Sequence, residues 1–324
     1  MMKFSITCLA CLSLAVAGFA HGAEATPPES ARKIAITFDD LPAVSIPAGE
    51  TCDLAALKNN TVKLLATLTA RAVPLVGFVN EGRICKSLGP EALRSLLNMW
   101  LDTGAELGNH TFSHVDIDVT TVDAYEADIV RGEAVTSKLL AERGRTLRYF
   151  RYPFLNTGKN QDTKSAIDSF LAKRGYTEAP VTIGSNEWMF AAIYADAKEH
   201  GDLTTMKLVT DTYVPYMERV VSYFERASTR LFSRQIGQVL LLHASALNAD
   251  SLDQLIAMLQ SRGYRFVTLA DALEDPAYRT PDDYLGSDGS SCLLRWAAGE
   301  KMLMPPRPPE PASIRNLYAR IVTK

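Results

Sequence analysis

Short apolar runs alternate with segments of helical periodicity along most of this chain, and that alternation restricts its fold more than any other feature. The runs are Lys33–Phe38, Leu75–Val79, Ala105–Asn109, Arg148–Tyr152, Pro180–Gly184, Val239–His243 and Tyr264–Leu269. They are rich in apolar, β-branched and aromatic residues without clean polar alternation, as strands buried on both faces are. Strands separated by helices of this length form a parallel α/β sheet, either covered by helices on both faces or closed into a barrel. Seven such units suit a barrel one strand short of eight, with an open doubly wound sheet as the alternative. No Gly-rich phosphate loop follows the first run, which counts against a dinucleotide fold.

The intervening helices carry their own stops. Asp53 can cap a face made of Leu54, Leu57, Leu64, Leu65 and Leu68, and Gly104 follows a stripe of Leu93, Leu96, Leu97, Trp100 and Leu101. Tyr125, Ile129 and Leu139 predict one helix stopped near Gly144; Ile167, Phe170 and Leu171 predict another stopped at Gly175. Trp188 to Gln235 reads as two helices broken near Gly201, and Leu252, Leu255, Ile256 and Leu259 mark a helix between Ser251 and Gly263. After Pro276 the character changes: Pro305-Pro306-Arg307-Pro308-Pro309 should be extended. A short helix closes the chain, Trp296 reads as a packing anchor, and no chemistry is legible in this stretch.

The first residues read as an address. Lys3, an apolar run from Phe4 to Ala20 and the small residues Gly22, Ala23 and Ala25 describe a secretory signal and not a membrane span. The expected organisation is a signal peptide over 1–23, a catalytic domain over 24–275 and a Pro-rich extension over 276–324, exported to a periplasm or secreted. The formal net charge is −3, which argues against nucleic acid or an anionic membrane as partner. Protein partners are not legible. Cys52, Cys85 and Cys292 follow the signal; no pair has C-x2-4-C spacing, which counts against a zinc site built on them. Cys52 and Cys85 fall in the loops after the first and second runs. An exported protein can join them, a bridge contributing roughly 3–4 kcal/mol in the loop-entropy model; two reduced thiols are the alternative.

In barrels and open parallel sheets alike, sites form at the carboxyl ends of the strands. The unusual residues fall there. Asp39 and Asp40 end the first run, His110 and His114 follow the third, and Arg151 with Pro153-Phe154 ends the fourth. Glu187 and Trp188 follow the fifth, and His243 ends the sixth. Carboxylate and neutral imidazole are ligands of a catalytic divalent metal, so His110, His114 and one aspartate make a candidate set, with the second aspartate free beside it. Each residue also has a plainer reading: the Asp pair as a turn or helix cap, Glu187 as a first-turn acid favoured by the helix dipole, His243 and Trp188 as core. Arg151, between Phe150 and Tyr152 in a buried run, needs a carboxylate partner.

Five ordered motifs, Thr37-Phe38-Asp39-Asp40, His110-x-x-x-His114, Arg151-x-Pro153-Phe154, Glu187-Trp188 and Leu240-x-Leu242-His243, resemble those of the polysaccharide deacetylases, the fourth carbohydrate esterase family with its NodB-homology domain. The resemblance runs from about Lys33 to Leu273. It implies a distorted (β/α)7 barrel, TIM-barrel-like, that removes acetyl groups from N-acetylated or O-acetylated sugars of a glycan. It further implies that Asp40, His110 and His114 bind a divalent metal, most often zinc. Asp39 would be the general base, oriented by Arg151, and the N–H of Phe154 would face the oxyanion. His243 would be the general acid, tuned by Glu187, with Trp188 beside the substrate. Two departures stand out: glutamate replaces the usual aspartate before Trp188, and Phe154-Leu155 replace the usual tyrosine and glycine after the proline. A hydrolase of another small amide or cyclic imide on the same fold, and a carbohydrate-binding relative without catalysis, are the alternative readings.

Overall fold

The computed structural model describes residues 1, 32–42, 52–286, 289 and 291–323. The predicted signal peptide, Met1 apart, lies outside the described residues. Along the chain come β1 (Arg32–Leu41), α1 (Leu54–Ala70), β2 (Leu75–Val79), α2 (Gly89–Asp102), β3 (Glu106–Asn109) and α3 (Val122–Arg131). Next are α4 (Thr136–Ala141), β4 (Tyr149–Phe150), α5 (Gln161–Lys173), β5 (Thr177–Glu178), α6 (Glu187–Glu199) and α7 (Leu203–Phe232). The last are β6 (Gln238–His243), α8 (Ala246–Ser261), β7 (Tyr264–Phe266), α9 (Leu269–Leu273), α10 (Cys292–Gly299) and α11 (Ala312–Val322).

The strands form one parallel sheet in the order β5-β4-β3-β2-β1-β6, with β7 pairing the first residues of β1. The sheet curls far enough to join its ends. Immediately after β5, Thr182 and Ile183 donate N–H groups to Val239 O, and Leu241 N–H returns to Ile183 O. The fold is therefore the distorted (β/α)7 barrel and not the open sheet. Alternation along each strand divides the core. Ala35, Val76, Phe78, Tyr149 and Val239 meet in one buried cluster, while Ile34, Ile36, Phe38, Leu240 and Leu242 belong to the larger cluster shared with the helices.

Several boundaries differ from those read in the sequence, each for an identifiable reason. The fifth strand is Thr177–Glu178 and not Pro180–Gly184, whose residues instead supply the closing bridge at Ile183. The single helix expected through Tyr125 and Leu139 is two. Gly132 lies so close to the β3–α3 loop that a Cβ would sit 2.9 Å from Phe112 N, and Glu81 caps the new start. The buried Glu81 carboxylate accepts the N–H groups of Val135 and Thr136 at 2.7–2.9 Å. Helix α8 begins at Ala246, not near Ser251, because the Ser245 hydroxyl accepts the Asn248 N–H. Strand β7 ends at Phe266 because Thr268 and Asp271 form a capping box that starts α9. The extension holds a helix that periodicity missed, α10, with Trp296 buried in the main core.

Candidate active site

All the residues that carried the sequence motifs reach one end of the barrel, and backbone geometry decides how. Between Phe38 and Leu41 the pairing of β1 with β2 slips by one residue. Such a bulge re-aims the side chains it contains, and Asp40 takes φ 63° within it. The adjacent carboxylates therefore do different work. Asp39 lies opposite His243 across the β1–β6 ladder. Its Oδ1 accepts from Arg151 Nη1 at 2.7 Å. Asp40 Oδ1 instead lies 3.4 Å from His114 Nε2 and 3.7 Å from His110 Nε2. Positive φ also occurs at Thr111, His114, Phe154 and Leu155. Such strain in non-glycine residues clusters where surrounding contacts over-determine the backbone.

Arg151 finds the carboxylate partner that its burial demands. The guanidinium is 1% exposed, stacks on Phe78 at 4.1 Å, and donates to Thr37 Oγ1, Asp39 Oδ1 and Ala179 O. His110 is equally enclosed, and its Nδ1–H donates to Arg151 O at 2.8 Å, which turns the Nε2 lone pair toward Asp40. Burial pushes the His110 pKa down and that of His114 down to about 3, so both imidazoles are neutral at pH 7. For Asp40, burial raises the pKa, but the positive charge that His114, His243, Arg83 and His110 carry at low pH outweighs it and holds the carboxyl at about 2.

The three groups fit a cation. Their ligand atoms lie within 4.8 Å of one another. Asp40 Oδ1 is buried without a hydrogen-bond partner, an arrangement that costs free energy unless something positive meets it. Across the cleft, Glu187 is fully buried at the start of α6. Its Oε1 accepts from both His243 Nδ1 (2.8 Å) and the His243 backbone N–H (2.7 Å). Burial opposes the imidazolium, but Glu187 outweighs it and raises the His243 pKa to about 9. The extra methylene of glutamate thus still reaches the imidazole.

Phe154 lines the cleft, its ring set edge-on to His114 at 4.4 Å, and its N–H has no partner among the described residues. Trp188 is a rim residue and not core: it is 39% exposed and meets Tyr318 edge-on at 5.2 Å. Cys52 and Cys85 are disulfide-bonded with Cα atoms 5.4 Å apart, tying the start of α1 to the loop after β2; Cys292 is free and buried. Sequence reasoning missed Arg83, whose Nη1 reaches Asp40 Oδ2 at 3.1 Å. It also missed Asn156, which accepts from Gly289 N–H and donates to Asp116. No spacing signal marks either. Gly289, Arg307 and Tyr318, from the stretch that reads as inert, line the same cleft of about 720 Å³ as Asp39, Asp40 and His243.

With this geometry in place, a family model described as "Polysaccharide deacetylase" matches residues 26–172. Among solved structures, the Bc1960 peptidoglycan N-acetylglucosamine deacetylase is 18% identical over 76% of this chain and 89% of that one, with TM-score 0.51. The peptidoglycan deacetylase PdaC from Bacillus subtilis is 21% identical over 78% and 94%, with TM-score 0.46. BA3943 from Bacillus anthracis, a pseudoenzyme of the CE4 family, is 16% identical over 76% and 66%, with TM-score 0.47. At these identities structural likeness bears on fold alone. No curated protein matches the chain.

Proposed function

From the match of residues 26–172 to the polysaccharide deacetylase family model, we propose that the chain is a member of that family and an exported, divalent-metal-dependent hydrolase that removes acetyl groups from N-acetylated sugars of a glycan. The observation that carries this reading is the division of labour between adjacent aspartates. One faces two neutral imidazoles, and the other is held by a buried arginine. One carboxylate and two imidazoles are the donor set of a catalytic zinc site, and Asp40, His110 and His114 would hold the ion. A divalent cation there supplies Lewis acidity, polarising the acetyl carbonyl and acidifying water.

The protein's own groups do the rest. Asp39 accepts the proton of the attacking water, oriented by its hydrogen bond from Arg151. The Phe154 N–H is available to the developing oxyanion. His243, charged and with its Nδ1–H fixed on Glu187, delivers a proton to the departing nitrogen, because an amide anion cannot leave at neutral pH. Ester removal needs the same groups, so O-acetyl sugars are the runner-up substrates. The Cys52–Cys85 bridge supports an oxidising compartment, as an exported enzyme would meet. Among the described residues no helix is long and apolar enough to cross a membrane.

Acetate release tests the reading directly. Zinc-loaded mature protein should release acetate from at least one of chitin oligomers, peptidoglycan and acetylated xylan, and chelation should abolish it. Bound metal with no acetate from any of them would leave a binding protein or a hydrolase of another amide.

The pH profile of kcat should have an alkaline limb belonging to His243. The acid must be protonated, and its pKa is raised to about 9, so activity is retained below that value and lost above it. A bound cation pulls the limb lower. Glu187→Gln removes the anion that sustains the imidazolium, so its limb should move toward lower pH; an unmoved limb would assign the acid elsewhere. The same shift stabilises the fold: the contribution is complete below the ordinary histidine value near 6.5 and is lost as pH rises through 9.

A further inference from the structure

The extension after Pro276 builds one wall of the cleft, and it brings a cation there. Tyr223 Oη donates to Pro305 O at 2.8 Å, and Asn186 Nδ2 donates to Glu310 Oε1 at 2.6 Å, so both ends of the Pro305–Glu310 strap are fastened. Four prolines flank Arg307 and fix the backbone between those anchors. The strap is bound to the residue just before Glu187. Gly289, farther back in the extension, lies where a Cβ would meet Phe154 O at 2.6 Å, so this wall is closely fitted to the site.

The arginines of the site differ in what they are free to do. Arg151 is buried on Asp39 and Arg83 is paired with Asp40. Arg307 is exposed, lines the cleft and makes no ion pair or hydrogen bond with any described residue. It stands between the cleft and a smaller recess of about 230 Å³ along Gly184–Asn186. The Trp188–Tyr318 edge-to-face pair on the same side offers an apolar surface for a sugar ring. A neutral chitin-like chain gives a guanidinium on this wall nothing to neutralise. A carboxylate does, through two parallel N–H···O bonds that a pre-organised guanidinium makes at little entropic cost.

We propose that Arg307 reads a carboxylate on the glycan, borne by a sugar next to the one that loses its acetyl group, so that the preferred substrate is an acidic glycan. The inference rests on the deacetylase reading of the cleft. A uronic acid and a lactyl ether both supply this chemistry.

The test is equilibrium binding to zinc-loaded full mature chain in the non-hydrolysing Asp39→Asn background. Three probes are matched in size: N,N′-diacetylchitobiose, N-acetylglucosamine linked to glucuronic acid, and N-acetylglucosamine linked to N-acetylmuramic acid. At least one acidic probe should bind about tenfold more tightly than the neutral one. Arg307→Gln should close most of that gap, and Arg307→Lys should restore part of it. The metal site is intact in all three proteins, so carboxylate binding to the ion is common to them and cancels. Equal binding of acidic and neutral probes, or a gap that survives Arg307→Gln, overturns the proposal. Whichever acidic probe carries the gap names the source of the carboxylate. Acetate release by the wild-type chain is measured separately. Release without a gap sinks the anion reader alone, and a gap without release sinks the deacetylase reading alone.

Discussion

Asp39→Asn should lower kcat for acetate release by about 10²–10⁴-fold, the usual contribution of a positioned general base, while the chain still binds one zinc. The substitution is nearly isosteric. Its amide oxygen can still accept from Arg151 Nη1, which sits 2.7 Å from Asp39 Oδ1. What disappears is the basicity. Asp40, His110 and His114 are left in place, so metal content measured on the purified variant should match wild type. The nearest imidazole is poorly placed to take over, because His110 Nε2 is 3.8 Å from Asp39 Oδ2 and as close, at 3.7 Å, to Asp40 Oδ1. More than a tenth of wild-type kcat in this variant would move the base to another group. Loss of zinc would instead make Asp39 a ligand.

Arg151→Met should destabilise the chelated protein by about 3–5 kcal/mol, the cost of removing one partner from a buried ion pair. The side chains of Arg151 and Asp39 are 1% and 3% exposed, so neither is screened by solvent. Methionine fills much of the space over Phe78 but leaves Asp39 charged and Thr37 Oγ1 and Ala179 O without their donor. Zinc beside Asp39 would compensate part of that uncovered charge. The loss, read from denaturant unfolding, should therefore be smaller in zinc-loaded protein than in chelated protein. Equal losses in both forms would separate Asp39 from the cation, and no loss in either would mean that the pair adds nothing to stability.

The fold was legible where periodicity is strong and local. Buried strands such as Val239–His243 and amphipathic helices such as Leu93–Leu101 need no knowledge of their neighbours to be recognised. Boundaries failed where a distant or single polar group decides them. Glu81 is 54 residues from Val135, yet its carboxylate starts α4. Thr182 and Ile183 look like strand interior but form the seam to β6, a contact 57 residues away for Thr182 and Val239. Such pairings leave no periodic trace. The place of the extension was not legible for a related reason: its prolines predict an extended path, but nothing local says which surface that path crosses.

The sequence by itself determined the α/β alternation and which polar residues gather at one end of the sheet. Every strand of a parallel sheet runs the same way, so residues placed after successive strands must collect at one end of the barrel, whatever the register. That polarity is enough to bring Asp39, Asp40, His110, His114, Arg151, Glu187 and His243 together. Tertiary structure alone decided what each of them faces. Asp39 and Asp40 are chemically identical neighbours, and only the bulge in β1, with the positive φ of Asp40, sends one to Arg151 and the other to the imidazoles. Arg307 likewise acquires a place in the cleft only because Tyr223 and Asn186 fasten its strap there. Register shifts and long-range hydrogen bonds are set by the summed packing of many segments, so no single stretch of sequence carries them.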